Sequence, residues 1–142
     1  MSRYKRALLY CTTMGYLLLA GWNAAAAEIG DYCWQTESGN LMRFSVSEAG
    51  PGHFTYTGMF SDTDGADFAI LGHVAVVGSS LVGGFSGAKT AADKFKTAIY
   101  RVTFNPATMV GSAEGIRQAY DRATAGISTD YKVHTLTPKS CP

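Results

Sequence analysis

Cys33 and Cys141 are the side chains with the most varied chemistry in this sequence, because a cysteine can ligate a metal, act as a nucleophile or form a disulfide. A metal site would need more Cys or His residues at close spacing, and no two of His53, His73 and His134 are spaced as a local chelate. Strands distant in the sequence could still bring His73 and His134 together. A catalytic cysteine would need an oriented base, which the sequence does not reveal.

The segment Ser86-Gly-Ala-Lys89 matches a Ser-x-x-Lys catalytic motif, and the same region nearly matches a nucleophile elbow. Ala88 stands where the second glycine of the elbow belongs. Both motifs also require a helix that begins at the serine within a much larger enzyme. The surrounding residues have the pattern of a strand end, so we predict that the protein is not an enzyme and has no catalytic residues.

Asp62, Asp64 and Asp67 surround Gly65 in a pattern that resembles part of a calcium-binding loop. Calcium needs about six to eight oxygen ligands, and no glutamate follows at the distance of the usual bidentate ligand. Asp64-Gly65 is instead typical of a hairpin turn with positive φ. We predict a plain hairpin loop here, and no metal or cofactor in the protein.

The first 27 residues have the order of a secretory signal peptide. Residues 2–6 hold three positive charges, residues 7–22 are mostly apolar, and small residues then lead up to Ala27. An uncleaved anchor is the alternative, because the apolar run approaches the roughly 20 residues that span a bilayer. Polar residues in the run and the alanine cluster favour cleavage after Ala27. We predict a signal peptide over residues 1–27 and one domain over residues 28–142, in the periplasm or outside the cell.

Export would place the two distant cysteines, Cys33 and Cys141, in an oxidising compartment where a disulfide can form. Cys11 follows a bulky tyrosine and Cys33 lies six residues past the cut, so neither follows the small-residue box that lipidation requires. An isolated pair in a small exported domain is typically a disulfide. We therefore predict a bond between Cys33 and Cys141 that closes a loop of nearly the whole domain.

The charge balance of the exported domain excludes some classes of partner. Three of the twelve Lys and Arg residues lie in the signal peptide, so nine remain against eleven Asp and Glu. No basic patch survives, which argues against nucleic acid and anionic membranes as partners. We also predict no membrane insertion once the signal peptide is removed.

Apolar and polar residues alternate with a period of two through most of the domain. Residues 42–46, 54–60 and 98–104 each place their apolar members on one face, and Gly, Pro, Asn and Asp separate such segments. Residues 88–95 have the only helix-like composition, predicting one turn or an exposed loop. Residues 118–130 look like a polar stretch before the last strand.

Short alternating segments joined by tight turns predict an all-β meander, either closed as a barrel or stacked as a sandwich. The disulfide favours closure, because the first and last strands of an up-and-down barrel are neighbours. Glycines within the strands, such as Gly58 and Gly72, also fit the bends of a small barrel. We predict a single up-and-down antiparallel β-barrel of about eight strands.

The chain resembles a small calycin-type barrel, the architecture of lipocalins and avidins. The matching features are an early Gly-Asp-Tyr-Cys-Trp strand ending at Trp34, about eight alternating strands, and a late hairpin at residues 104–111. The resemblance covers residues 29–137 and implies a barrel with an internal ligand site. Gly30 and Trp34 are four apart where a lipocalin usually has Gly-x-Trp, and the several tryptophans of an avidin site are absent.

Six aromatic residues share the inward faces of the predicted strands. They are Phe44, Phe54, Tyr56, Phe60, Tyr100 and Phe104. They could simply fill the barrel, whose interior at about eight strands is just wide enough for side chains. Small neighbours such as Gly58, Gly83 and Ala98 could instead leave a cavity. We predict an exported, non-catalytic barrel in which these aromatic residues bind a small hydrophobic or aromatic ligand.

The alternative function is a protein-interaction module of the cell envelope. Its barrel interior would be filled by side chains, and its loops would contact a partner protein. The loops predicted for this role are Ser61–Asp67 and Gln118–Asp130.

Overall fold

The computed structural model describes residues 27–61, 67–91 and 93–142. Most of these residues belong to eight strands. In chain order the strands are β1 (Ala27–Thr36), β2 (Leu41–Gly50), β3 (His53–Ser61), β4 (Asp67–Val77), β5 (Ser80–Ala91), β6 (Lys94–Phe104), β7 (Gly111–Asp121) and β8 (Gly126–Lys139). Residues 1–26 of the predicted signal peptide and residues 62–66 of the acidic loop lie outside the described residues.

Each strand pairs antiparallel with the next, and β1 pairs with β8 to close the ring. The prediction of an all-β, up-and-down barrel of about eight strands is therefore confirmed. Alternation explains the fold, because residues of one parity along each strand face the interior. On β4, for example, Phe68, Ile70, Gly72 and Val74 are buried between exposed neighbours. No helix among the described residues is long and apolar enough to cross a membrane.

Two segments differ from the sequence-based expectation. Residues 88–95, predicted as a turn of helix or an exposed loop, are mostly strand, because β5 runs to Ala91 and β6 begins at Lys94. The polar stretch at 118–130 is also mostly strand and forms a hairpin between β7 and β8. In both segments polar residues pair on strands that extend past the apolar core, where composition no longer alternates between apolar and polar.

The up-and-down order gives the barrel two ends with different turns. At one end, which we call the apolar end, lie the turns at residues 51–52, 78–79 and 105–110. At the other, the polar end, lie the turns at residues 37–40 and 122–125. Successive turns alternate between the ends, so each interior side chain can be assigned to one end by its position along its strand.

The seam between β1 and β8 is short. It consists of four pairs, from Cys33 opposite Lys139 to Thr36 opposite Leu136. The predicted disulfide is confirmed: Cys33 and Cys141 are bonded, with their Cα atoms 5.2 Å apart. The crosslink therefore lies at one limit of the seam and ties the chain end to the first strand.

Glu37 extends the seam by one residue beyond Thr36. Its carboxylate accepts a hydrogen bond from the backbone amide of Thr135 at 2.8 Å and contacts Nδ1 of His134 at 2.9 Å. Before Thr135, the edge of β8 that faces away from β7 has no strand partner among the described residues. This free edge comprises residues 126–134.

Candidate functional site

Among the residues that the structure describes, the barrel interior has a cavity toward each end. The apolar cavity, toward the apolar end, has a volume of about 160 Å³, and the polar cavity, toward the polar end, has about 310 Å³. Met42, Phe85 and Leu136 border both and form the partition between them. All three are buried. The interior of this barrel is therefore divided into two chemically different compartments.

Aromatic rings form most of the wall of the apolar cavity. Trp34 lies 5.2 Å from Phe104 and 5.8 Å from Phe44, measured between ring centroids. Phe44 in turn meets Tyr56 edge-on at 5.0 Å. Rings at these separations and angles attract one another beyond their burial of apolar area. The wall therefore presents mainly carbon atoms to the cavity.

Tyr56 contributes a buried phenol hydroxyl to the wall of the apolar cavity. Its ring lies against Gly72 on the neighbouring strand, where a Cβ atom would collide with the ring. Its hydroxyl donates a hydrogen bond to the carbonyl of Gly84 at 3.1 Å. Burial raises the pKa of Tyr56 well above its ordinary value, so the hydroxyl stays protonated and remains a donor. The cavity wall thus carries no charge at this position.

The mouth of the apolar cavity opens to solvent beside β1. Ile29 and Tyr32 line the cavity and are 45% and 38% exposed. Ile29 lies at a register shift in the pairing of β1 with β2, between Glu28 and Gly30. A bulge of this kind re-aims a side chain. The bulge in β1 therefore places Ile29 at the mouth of the apolar cavity.

The turn between β6 and β7 covers another part of this mouth. Met109 lines the cavity, and its backbone has a left-handed φ of 56°. Its carbonyl accepts a hydrogen bond from Nε1 of Trp34 at 2.9 Å, and its amide donates to the carbonyl of Asn105 at 2.7 Å. These two bonds hold the turn against the aromatic wall.

The six aromatic residues selected from the sequence all face the interior, but they divide between the two cavities. Phe44, Phe54, Tyr56 and Phe104 line the apolar cavity. Phe60 and Tyr100 line the polar cavity. Sequence reasoning did not assign Trp34 or Met109 to the site. The alternation of β1 indicates the inward face of Trp34, whereas the turn that carries Met109 gives no such signal.

Small residues on three adjacent strands create the polar cavity. Gly87 lies opposite Ala98 in the β5–β6 pairing, and Ala113 lies on the same interior face of β7. Larger residues form the rest of the cavity lining, among them Phe60, Phe68 and Tyr100. The volume forms because one wall contributes little side-chain bulk.

Polar and charged side chains surround the outer part of this cavity. Arg117 on β7 and Lys132 and His134 on β8 line it, together with Glu37 from the turn between β1 and β2. Arg117 also forms an ion pair with Asp130 at 3.1 Å. The polar end therefore combines an apolar interior with a rim that carries both signs of charge.

The carboxylate of Glu37 is held in its ionised form. Partial burial acts to raise its pKa, but hydrogen bonds from its own backbone amide, from His134 and from the amide of Thr135 outweigh this and lower the pKa below its ordinary value. Both carboxylate oxygens are used in these contacts. Glu37 thus fixes the position of His134 beside the cavity, and the ring of His134 lies 5.8 Å from that of Tyr100.

Lys89 is a buried cation on the interior face of β5. Its side chain is 4% exposed, and its Nζ lies 4.8 Å from the centre of the Phe68 ring, a cation–π geometry. Ser86, three residues earlier, is exposed on the outer face of the same strand. The serine and the lysine of the Ser-x-x-Lys sequence therefore lie on opposite sides of the barrel wall.

The histidines are likewise separated. His73 is exposed on the outside of β4, whereas His134 lines the interior on β8, so the structure does not bring them together. Within residues 27–61, 67–91 and 93–142, no group of three or more His, Cys, Asp and Glu side chains is placed to hold a metal ion.

The outer surface of β6–β8 carries a row of exposed apolar residues. Ile99, Ile116 and Tyr131 are direct neighbours in the strand pairing, and Tyr131 is 63% exposed. The row ends at the free edge of β8. This surface is formed by strands, not by the loop that the sequence suggested for residues 118–130.

Comparison with known proteins identifies no relative of this chain: no protein-family model, no curated protein and no solved structure matches it.

Proposed function

We propose that the protein is a non-catalytic binding protein whose apolar cavity takes a small hydrophobic or aromatic ligand. The observation that carries this proposal is the apolar cavity itself, which is walled by Trp34, Phe44, Tyr56 and Phe104 and opens beside Ile29 and Tyr32. Apolar surface transferred from water into such a cavity is stabilised by roughly 25 cal/mol per Å². A ligand that buries one ring there gains affinity without needing a polar partner.

The volume of the apolar cavity limits how much of the ligand can be buried. A dry apolar cavity of about 150 Å³ in another protein accommodates benzene, and this one has about 160 Å³. It therefore suits one aromatic ring or the end of a branched alkyl group. A longer ligand would extend out of the mouth past Ile29 and Tyr32.

The setting we propose for this function is an oxidising compartment, the periplasm or the cell exterior. The Cys33–Cys141 disulfide supports it, since such bonds persist mainly in exported proteins. A calycin-like relationship is part of the same proposal. It is supported by the eight-strand meander, by closure between β1 and β8, and by an internal cavity.

Filling the apolar cavity tests the function. Val46 is half-buried near the mouth, so the ring of Val46→Phe has open cavity space to occupy. We expect this variant to bind toluene at least about tenfold more weakly, because the ring occupies the volume that toluene needs, while added bulk in a core costs only about 1–3 kcal/mol of stability. Binding is measured in residues 28–142 by NMR titration and by fluorescence of Trp34.

The matched control is Ala98→Leu, which adds apolar bulk to the polar cavity as Val46→Phe does to the apolar cavity. It should leave toluene binding within about twofold of the unmodified protein, since the two cavities are separated by Met42, Phe85 and Leu136. Failure of the unmodified domain to bind toluene, or equal loss in both variants, would rule out the apolar cavity as the site.

The free edge of β8 favours a second function, pairing with an extended segment of a partner protein. Thr135 directs its backbone amide away from β7, toward Glu37, and no register shift interrupts the pairing from residue 126 to 135. The backbone groups of Thr129, Tyr131 and Val133 therefore also point toward the free edge. Unpaired strand edges are templates for an added strand, and exposed side chains such as Tyr131 would add contact area.

Thr129→Pro tests this second function. The amide that proline removes points away from β7, so the β7–β8 ladder stays intact while strand addition at the edge is blocked. A photo-crosslinking residue at position 131 should give a discrete adduct in the native compartment that disappears in Thr129→Pro. The same residue placed at Ser45, on the outer face of β2, is the control. An adduct that survives Thr129→Pro, or appears equally from position 45, would contradict edge pairing.

A further inference from the structure

We propose that the polar cavity is a second binding site, which takes a small organic anion with an apolar body and one carboxylate group. The site goes beyond the function proposed for the apolar cavity, because it lies at the opposite end of the barrel. It has its own volume of about 310 Å³, within the range typical of small-molecule pockets.

The inner part of the polar cavity is suited to the apolar body of such a molecule. Phe60, Phe68 and Tyr100 provide ring surfaces, and Ala98 and Ala113 leave the space between them open. Phe85 stacks on Tyr100 at 5.0 Å and closes the inner end together with Met42. An aromatic or branched apolar group would therefore be surrounded by carbon atoms on most sides.

The outer part is suited to the carboxylate because two cations converge there. Lys132 lies opposite Gly115, and Arg117 lies two residues further along β7. The two are thus diagonal cross-strand neighbours, and residues in this relation are typically about 7–8 Å apart. Both side chains line the cavity. A carboxylate between them can receive hydrogen bonds from both, and such charge-assisted bonds are roughly twice as strong as neutral ones.

Lys132 is the decisive residue, because it has no ion-pair partner among the described residues. The nearby carboxylates are used elsewhere: Glu37 accepts from Thr135 and contacts His134, and Asp130 is bonded to Arg117. Lys132 is only partly exposed and lines the cavity. An incoming anion would supply the counter-charge that this position lacks.

The test uses a matched pair of ligands, 2-naphthoate and 2-naphthalenemethanol, which share one ring system and differ in the carboxylate. We expect the domain to bind the naphthoate at least about tenfold more tightly than the alcohol, the difference that a hydrogen bond to a charged group typically makes. Lys132→Gln should remove most of this preference while leaving the affinity for the alcohol within about twofold. Lys139→Gln, on the same strand but outside the cavity, is the control and should preserve the preference.

Filling the cavities locates the site. Ala98→Leu should weaken binding of both naphthalene ligands by about tenfold or more, whereas Val46→Phe should leave both unchanged. The reverse pattern would place these ligands in the apolar cavity and overturn the proposal, as would equal affinity for the two ligands or an unchanged preference in Lys132→Gln. No binding of the naphthoate at millimolar concentration would also overturn it. Toluene binding is measured separately, so the proposal for either cavity can be refuted without affecting the proposal for the other.

Discussion

Removal of the Cys33–Cys141 disulfide should lower the free energy of unfolding by up to about 4–5 kcal/mol, the loss that the chain-entropy model gives for a crosslink between residues 108 apart. The bond constrains residues 33–141 of the unfolded chain, and in the folded protein it secures a seam of only four residue pairs. Domains of this size are typically stable by about 5–15 kcal/mol, so the variant would retain a small margin. The measurement is urea unfolding of Cys33→Ala/Cys141→Ser, followed by the fluorescence of Trp34.

Two controls separate loss of the crosslink from loss of side-chain contacts. The unmodified protein with its disulfide reduced still has Cys33 in its buried site. We expect it to lose the same free energy as the double variant, which would assign the loss to the crosslink and not to the side chain. The dependence of unfolding free energy on urea should become steeper without the bond, since an uncrosslinked chain exposes more surface on unfolding. A loss below about 1 kcal/mol would show that the β1–β8 hydrogen bonds and Glu37 close the barrel unaided.

The strands and their faces were predictable from the sequence because the barrel has one buried and one exposed side. Phe44, Tyr56 and Tyr100 fall on the interior face because a shift of one residue would expose every apolar side chain of their strands. The disulfide was predictable for a different reason. The part of the sequence that follows the predicted signal peptide holds two cysteines, Cys33 and Cys141, and these allow a single pairing.

The ends of the strands were not predictable in the same way. Residues 88–95 and 118–130 form strands although their apolar and polar residues do not alternate clearly. Ladder hydrogen bonds with a neighbouring strand extend these segments beyond the core, and such bonds depend on the neighbour, not on the segment's own composition. The free edge of β8 follows from this extension, so it too was invisible in the sequence.

The two cavities could not be derived from the sequence because they depend on which side chains meet across the barrel. The sequence predicts one site lined by six aromatic residues, whereas Phe60 and Tyr100 belong to a different cavity from the other four. The division arises where Met42, Phe85 and Leu136 come together from β2, β5 and β8. Such a meeting depends on the stagger of the closed barrel, which strand pattern alone does not specify.

Trp34→Ala should have the second large effect, lowering the free energy of unfolding by about 3–5 kcal/mol, the usual cost of truncating a buried tryptophan. The indole is 5% exposed and contacts the rings of Phe44 and Phe104. It also lies at the seam, where Trp34 pairs with Met42 on one side and Pro138 on the other. Its loss removes ring contacts, enlarges the apolar cavity and frees the turn that carries Met109. Unfolding is followed by circular dichroism, because residues 28–142 then contain no tryptophan.

Trp34→Phe separates the hydrogen bond from the packing. Phenylalanine keeps an aromatic ring in the wall but leaves the Met109 carbonyl without its donor, so we expect a smaller loss of about 1–3 kcal/mol. The larger apolar cavity of Trp34→Ala should also admit naphthalene, which the apolar cavity of the unmodified protein is too small to hold. With the polar cavity filled by Ala98→Leu in both proteins, this added binding is detected by a rise in melting temperature. Equal losses in the two variants would show that the contribution of Trp34 to stability comes from its hydrogen bond to Met109 and not from ring packing. A Trp34→Ala domain that gains no affinity for naphthalene would show that its walls collapse into the space.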